Sequence, residues 1–208
     1  MKQMVWLFVL ALGVAGNGFS QVSLTAGVGG GMSISSFPKP ANDFYGIGYG
    51  GGAHVDMNVA PFLTFQLSGD YYTFPADKAK LKGLYPVTDQ FGNPTDNFSV
   101  SGGTFSIVGV MFNAVGKIPT GSAVTPYGLI GAGVQIGSQT DVTVSSGGQT
   151  IFVDKAGSSD TRGGLDFGAG SMFSLGRAVT LSVDVRYVIV LLPGSNMVHI
   201  PVSLGLTF

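Results

Sequence analysis

Residues 179–189 have the sequence VTLSVDVRYVI, in which apolar and polar side chains alternate almost without exception. The odd-numbered positions from Val179 to Ile189 are all apolar or aromatic, whereas the even-numbered positions include Asp184 and Arg186. Successive side chains of a β-strand point to opposite faces. A period of two therefore predicts a strand with one apolar face and one polar face.

The same alternation recurs on both sides of this stretch. Seven further runs show it, at residues 22–33, 47–59, 63–71, 107–114, 129–136, 165–175 and 198–208. Most of the connections between runs alternate between short and long, and the long ones include residues 75–100 and 138–162. This spacing is typical of an up-and-down meander. We therefore predict an all-β chain, an eight-stranded antiparallel barrel that occupies residues 21–208 as a single domain.

The composition excludes several classes of protein. Of 208 residues, 34 are glycine and only 10% are charged, with a formal net charge of −1. This balance argues against nucleic-acid binding, which needs a basic surface. The apolar content of 45% is too high for a disordered chain. The sequence has no cysteine, which removes disulfides, thiolate metal sites and cysteine nucleophiles.

The N-terminal residues predict export from the cytoplasm. Lys2 precedes an apolar run at residues 4–15, and small residues follow at Gly18 and Ser20. This order is typical of a signal peptide, which we place at residues 1–20 with cleavage before Gln21. The apolar run is too short to cross a bilayer as a helix, which takes about 20 residues.

The polar face of the predicted strands favours a membrane barrel over a soluble β-sandwich. Glycine, serine and threonine dominate that face, and such small residues suit the crowded lumen of a narrow barrel. Five charged residues within the runs also lie on it: Asp56, Asp70, Asp166, Asp184 and Arg186. A charge on the lipid face costs up to about 2–4 kcal/mol at mid-bilayer. We therefore expect transmembrane strands that close into a barrel without an edge.

Two segments carry a resemblance to a known family. Residues 125–134, TPYGLIGAGV, and residues 202–208, VSLGLTF, follow the predicted signal peptide. Together they resemble the outer-membrane β-barrel domain family, the small eight-stranded OmpA/OmpX-type barrels of Gram-negative bacteria. The resemblance implies a monomer in the bacterial outer membrane, surrounded by lipid and lipopolysaccharide. It also implies that the barrel-assembly machinery reads the last strand through Leu204, Leu206 and Phe208.

One residue departs from the family pattern. Pro201 lies within the predicted last strand and cannot donate a ladder hydrogen bond. We expect it to mark a β-bulge.

The predicted lumen contains a polar network. Its ionisable members are His54, Asp56, Asp70, Asp166, Asp184, Arg186 and His199. Arg186 is the only lysine or arginine within a predicted strand, and we expect it to pair with aspartates across the barrel. Two histidines and scattered aspartates have no recognised metal-ligand spacing, so we predict no metal and no cofactor.

Three functions are consistent with this sequence. The leading hypothesis is a structural or surface-interaction protein that binds an unidentified extracellular partner through its loops. The candidate contact residues are Lys78, Lys80 and Lys82, which would bind either this partner or lipopolysaccharide phosphates. Residues 142–153 predict a hairpin that extends two strands beyond the membrane. The first alternative is a narrow channel for small solutes.

The second alternative is a lipid-modifying enzyme. Its catalytic groups would be His54 with Asp56, or His199 with Ser203. Residues two or four apart on a strand lie about 7–14 Å apart along the backbone, which argues against a hydrogen-bonded triad. We therefore predict no enzymatic activity.

Overall fold

A computed structural model describes residues 22–39, 41–85, 87–88, 94–95, 97–157, 159–176 and 178–208. The predicted signal peptide, residues 1–20, lies outside the described residues. With strands numbered along the chain, eight long strands form the main sheet: β1 (Ser23–Ser36), β2 (Ile47–Ala60), β3 (Leu63–Phe74), β7 (Phe105–Lys117), β8 (Val124–Gln139), β11 (Asp160–Ser174), β12 (Thr180–Leu192) and β13 (Ser195–Thr207).

These strands close into a barrel in which every neighbouring pair is antiparallel. The order is β1-β13-β12-β11-β8-β7-β3-β2, and β2 returns to β1. The seam between the first and last strands runs from the pair Gly27–Thr207 to the pair Ser36–Val198. The prediction of an eight-stranded antiparallel barrel is confirmed. The strands are longer than the alternating runs that predicted them. For example, β11 begins at Asp160 rather than at Leu165.

The barrel has two distinct ends. The loop end carries the described parts of the connections at residues 37–46, 75–104 and 140–159, and the terminal end carries Ser23 and Thr207. Around its outside lie large apolar side chains that are more than half exposed, among them Leu24, Met32, Ile47, Tyr49, Ile130 and Leu204. A continuous apolar belt of this kind requires a lipid environment.

Apolar side chains also fill the lumen near both ends. At the loop end Phe37, Tyr72, Phe74, Ile107, Val190 and Met197 form a buried cluster, the upper plug. At the terminal end Val115, Tyr127 and Leu129 form the lower plug, with Met172 packed against them. Small inward residues make room for these groups, since eight strands leave space only for side chains.

A small cap stands on the loop end. It contains the helix α1 (Lys78–Lys82) and the strands β4 (Val87–Thr88), β5 (Pro94–Thr95), β6 (Ser99–Gly102), β9 (Val142–Ser146) and β10 (Gln149–Asp154). The side chain of Asp77 caps α1 by accepting hydrogen bonds from two backbone amides. No helix among the described residues is long and apolar enough to cross a membrane.

The cap holds the hairpin that the sequence predicts at residues 142–153, with one difference. β9 and β10 do pair as a hairpin. They do not continue the barrel strands, however, but join β6 in a separate sheet with the order β10-β9-β6. Val142 and Val144 explain this, because they pack with Leu81 and Val100 in a core of the cap's own.

The expected bulge at Pro201 is wrong. On one side Pro201 pairs in register with Ser33 of β1. On the other side the β12–β13 ladder is interrupted between Val185–Val202 and Val188–His199, and the register is the same across the gap. The missing N–H thus removes ladder contacts without shifting the strand.

Candidate functional site

The centre of the lumen is organised by Arg186. β12 places Asp184 and Arg186 on the same inward face, and the arginine Nε donates to Asp184 Oδ1 at 3.1 Å. Across the sheet its Nη1 lies 3.4 Å from Asp166 Oδ2. Both carboxylates are nearly inaccessible, with side chains 7% and 1% exposed. Charges buried this deeply are stable only when they are paired.

Tyr127 completes this centre, although its place there was not predicted from the sequence. Its hydroxyl donates to Asp184 Oδ2 at 3.2 Å. Tyr127 has the same parity along β8 as the inward residue Leu129, so the alternation alone was a sufficient signal.

A second group of polar side chains lies towards the terminal end. Gln66 Nε2 donates to Asp56 Oδ1 at 2.9 Å, and Asn113 Nδ2 donates to Gln66 Oε1 at 3.3 Å. His54 Nε2 is 3.7 Å from Asp56 Oδ2. The side chains of this second group come from three strands, β2, β3 and β7, which are neighbours in the barrel.

The remaining two predicted lumen residues lie above the centre. Asp70 accepts a hydrogen bond from the Ser68 hydroxyl at 3.2 Å. His199 Nδ1 is 3.2 Å from the hydroxyl of Ser33, and its other ring nitrogen has no hydrogen-bond partner among the described residues. All seven predicted residues therefore face the lumen, although only Asp166 and Asp184 contact Arg186 directly.

The histidine geometry differs from both enzyme hypotheses. His54 and Asp56 approach more closely than their backbone spacing suggests, but Asp56 is held by Gln66. His199 pairs with the fully buried Ser33 and not with Ser203, whose hydroxyl contacts the Tyr72 hydroxyl instead. The pairing of His199 with Ser203, which the strand spacing argued against, is not formed. Within the described ranges, no group of three or more metal-ligating side chains is arranged around an ion site.

The free space at the centre of the lumen is small. A cavity of about 50 Å³ lies beside Asp70, Asp166, Arg186 and His199. It is large enough and polar enough for a few water molecules. The upper and lower plugs lie above and below it. The described lumen is therefore a packed interior rather than an open pore.

The three lysines of the cap have different environments. Lys78 and Lys80 are exposed to solvent on α1. Lys82 is half-buried, and its Nζ lies 4.7 Å from the centre of the Phe98 ring. A cation over an aromatic face is stabilised by the ring quadrupole, so Lys82 contributes to the packing of the cap.

The last strand presents its alternate apolar residues to the outside. Leu204 and Phe208 are each more than half exposed, and Leu206 is 38% exposed. The amide of Phe208 donates to the carbonyl of Ala26 at 2.8 Å, which secures the seam at the terminal end.

Comparison with known families connects these features. The family model described as the outer membrane protein beta-barrel domain matches residues 6–207. The chain belongs to this family. An outer membrane protein of this family places its apolar belt in the bacterial outer membrane, which is the location the sequence predicted. No protein of curated function matches the sequence.

Two solved structures with TM-scores above 0.5 share the barrel fold, and Ail is a further similar structure. Neisserial surface protein A (NspA) is 17% identical over 90% of this chain and 98% of its own, with a TM-score of 0.53. A major outer membrane protein from Thermus thermophilus is 16% identical over 89% and 99%, with a TM-score of 0.55. Ail, the attachment invasion locus protein of Yersinia pestis, is 16% identical over 90% and 97%, with a TM-score of 0.42.

Proposed function

We propose that this outer membrane barrel is a surface-interaction protein that binds an extended segment of a partner protein along strand β10. The long loops then face the outside of the cell and the chain termini face the periplasm. The barrel is a monomer surrounded by lipid and lipopolysaccharide. The barrel-assembly machinery inserts it through the pattern Leu204, Leu206 and Phe208.

The observation that carries this proposal is the exposed edge of the cap. β10 is the outermost strand of its sheet and pairs only with β9 among the described strands. All six of its residues are exposed, including Ile151 at 54%, Phe152 at 51% and Val153 at 37%. An edge strand offers unpaired N–H and C=O groups to another strand, and natural proteins usually protect such an edge.

The edge is also held in place. The Tyr85 hydroxyl donates to Asp154 Oδ2 at 2.8 Å, and the Tyr85 ring lies 6.1 Å from the Phe152 ring. Behind β10, the buried valines of β9 fix the sheet on α1. A prearranged strand loses less conformational entropy when a partner binds, which favours recognition.

The closed lumen supports this function over the channel. Solute passage requires a continuous water path, and two apolar plugs with a buried ion-paired centre oppose one. The histidine contacts favour a structural role over a catalytic one, since His199 is within hydrogen-bond distance of the Ser33 hydroxyl and His54 of the Thr207 hydroxyl.

Selection of extended peptides from a displayed random library, with the barrel in nanodiscs as the target, tests the proposal. We expect selected peptides to lose affinity for the double variant Ile151→Lys/Val153→Lys and to protect β10 amides from hydrogen exchange. Leu84→Lys is the matched control, because Leu84 is an equally exposed apolar cap residue outside the sheet edge, at 55%. Peptides that bind wild type and the double variant equally would refute the assignment to β10.

A further inference from the structure

The loop end contains a second, larger cavity. It has a volume of about 390 Å³, which lies within the range of small-molecule sites. Its lining is mainly apolar and comes from the upper plug and its neighbours: Phe37, Phe105, Ile107, Val190, Leu192 and Met197. Gln135 and Ile107 separate it from the small polar cavity below, since both residues border both spaces.

Charged and polar groups surround the opening of this cavity. Lys39, Asp160 and Arg162 all line it, so the described charges there sum to one positive unit. The Nε of Arg162 donates to Asp160 Oδ2 at 2.8 Å and its Nη2 pairs with the same oxygen, while the Arg162 side chain as a whole is 35% exposed. Gln139 adds an amide beside them. Such an opening favours an anionic group over a cationic one.

The opening lies where the barrel wall is lowest. β11 pairs with β8 as far as Asp160. On its other side, however, its ladder with β12 begins only at the pair Gly164–Val190. The β12–β13 hairpin turns after Leu192, so the tip of β11 stands above it. A ligand can therefore enter over the β12–β13 hairpin, and Arg162 lines this entrance.

We propose that this cavity binds a small single-chain amphiphile with a carboxylate head, such as a free fatty acid of medium length. The chain occupies the apolar cavity, and the carboxylate contacts Arg162 and Lys39. The volume of about 390 Å³ suits one short chain better than a lipid with several chains. The site is separate from β10, so it does not depend on the proposed partner.

Methyl NMR of the whole barrel in nanodiscs tests the proposal, with decanoate as the probe. Met197 lies in the cavity and is 3% exposed, whereas Met32 faces lipid and is 58% exposed. We expect the Met197 methyl signal to shift and saturate as decanoate is added. Met32 reports partitioning into the bilayer and is expected to drift without saturation. Proportional drift of both signals would overturn the proposal.

Ligand and residue variants test the chemistry of the site. Butyrate is too short to fill the cavity, and decyltrimethylammonium has the opposite charge, so neither is expected to saturate Met197. Arg162→Gln is expected to weaken decanoate binding about fivefold and to leave decanol binding unchanged. Lys155→Gln removes a more exposed positive charge, with a side chain 79% exposed, that pairs with Asp141 and does not line the cavity, and it serves as the control for loss of surface charge. Equal binding of decanoate and decyltrimethylammonium would refute the anion preference.

Discussion

At the scale of single residues, Arg186 has the largest expected effect. Its removal leaves Asp166 and Asp184 as unpaired charges inside the barrel. Breaking a buried ion pair costs about 3–5 kcal/mol, and we expect Arg186→Ala to lower the free energy of unfolding by this order. Urea titration, read from the migration of folded and unfolded protein on gels, measures the change.

The chain provides a matched control for this change. Arg162 and Asp160 are also an arginine and an aspartate two residues apart on one strand, but their side chains are 35% and 55% exposed. An exposed pair contributes about 0–1 kcal/mol, so Arg162→Ala is expected to leave the midpoint nearly unchanged. Equal effects of the two substitutions would show that the Arg186 centre is not structural.

Tyr45 connects the cap to the barrel and gives a prediction about pH. Its hydroxyl donates to the carbonyl of Gly103 at 2.8 Å. Burial raises the pKa of Tyr45 above its ordinary value. The neutral phenol therefore stabilises the cap fully below the unfolded pKa of about 10, and this stabilisation is lost as the pH rises through the folded pKa.

Substitution of Tyr45 separates this contribution from general alkaline effects. We expect Tyr45→Phe to cost about 1 kcal/mol of cap stability at neutral pH, the usual value of one hydrogen bond. Hydrogen exchange in residues 99–103 measures it. The wild-type cap is expected to loosen at high pH towards the level of the variant; a difference that stays constant through the alkaline range would contradict the assignment.

At the scale of the strands, space inside the barrel decides where glycine is required. A Cβ on Gly131 would lie 2.7 Å from the carbonyl oxygen of Phe112 and closer still to the Asn113 side chain. We expect Gly131→Val to destabilise the barrel by about 1–3 kcal/mol through overpacking. Gly69 is the control, since a Cβ there meets no atom within 4 Å.

Urea titration of both glycine variants completes the comparison. Gly69→Val is expected to match or exceed wild-type stability, because valine favours strands and Gly69 has open space. If both variants lost stability equally, lumen crowding would not explain the effect of Gly131→Val.

Alternation predicted the barrel because its constraint is repeated on every strand. One face contacts lipid and the other a narrow lumen, so the two polarities differ along β12 from Thr180 to Tyr187. The same parity is what led us to predict the seven ionisable residues on the lumen face. Partner choice was harder: Ser33, rather than Ser203, meets His199 because of the β1–β13 register, which no local pattern encodes.

The cap could not be predicted to the same extent. α1 has five residues and β6 has four, too few for a period to be detected. Its core is assembled from Leu81, Val100 and Val144, which are distant in sequence. The loop-end cavity likewise depends on where residues 37–39 and Ala41 fold into the mouth of the barrel, which is a tertiary property.

For the molecule as a whole, the packed lumen gives a prediction about conduction. The space at its centre is about 50 Å³ and is bounded by apolar side chains at both ends. We expect purified protein in planar bilayers to show no steady single-channel openings. A wide porin inserted into the same membrane is the control. Discrete, long-lived current steps from the pure protein would favour the channel hypothesis instead.

The pairing of β1 with β13 has a consequence for how the barrel forms. It joins residues as far apart in the sequence as Gly27 and Thr207, so the last hydrogen-bonded ladder closes the longest loop of the chain. Until β13 is in place, the other seven strands are not a smaller barrel but an open sheet with two bare edges. In lipid such edges are prohibitive. Loss of β13 should therefore abolish membrane insertion altogether rather than reduce it by one part in eight.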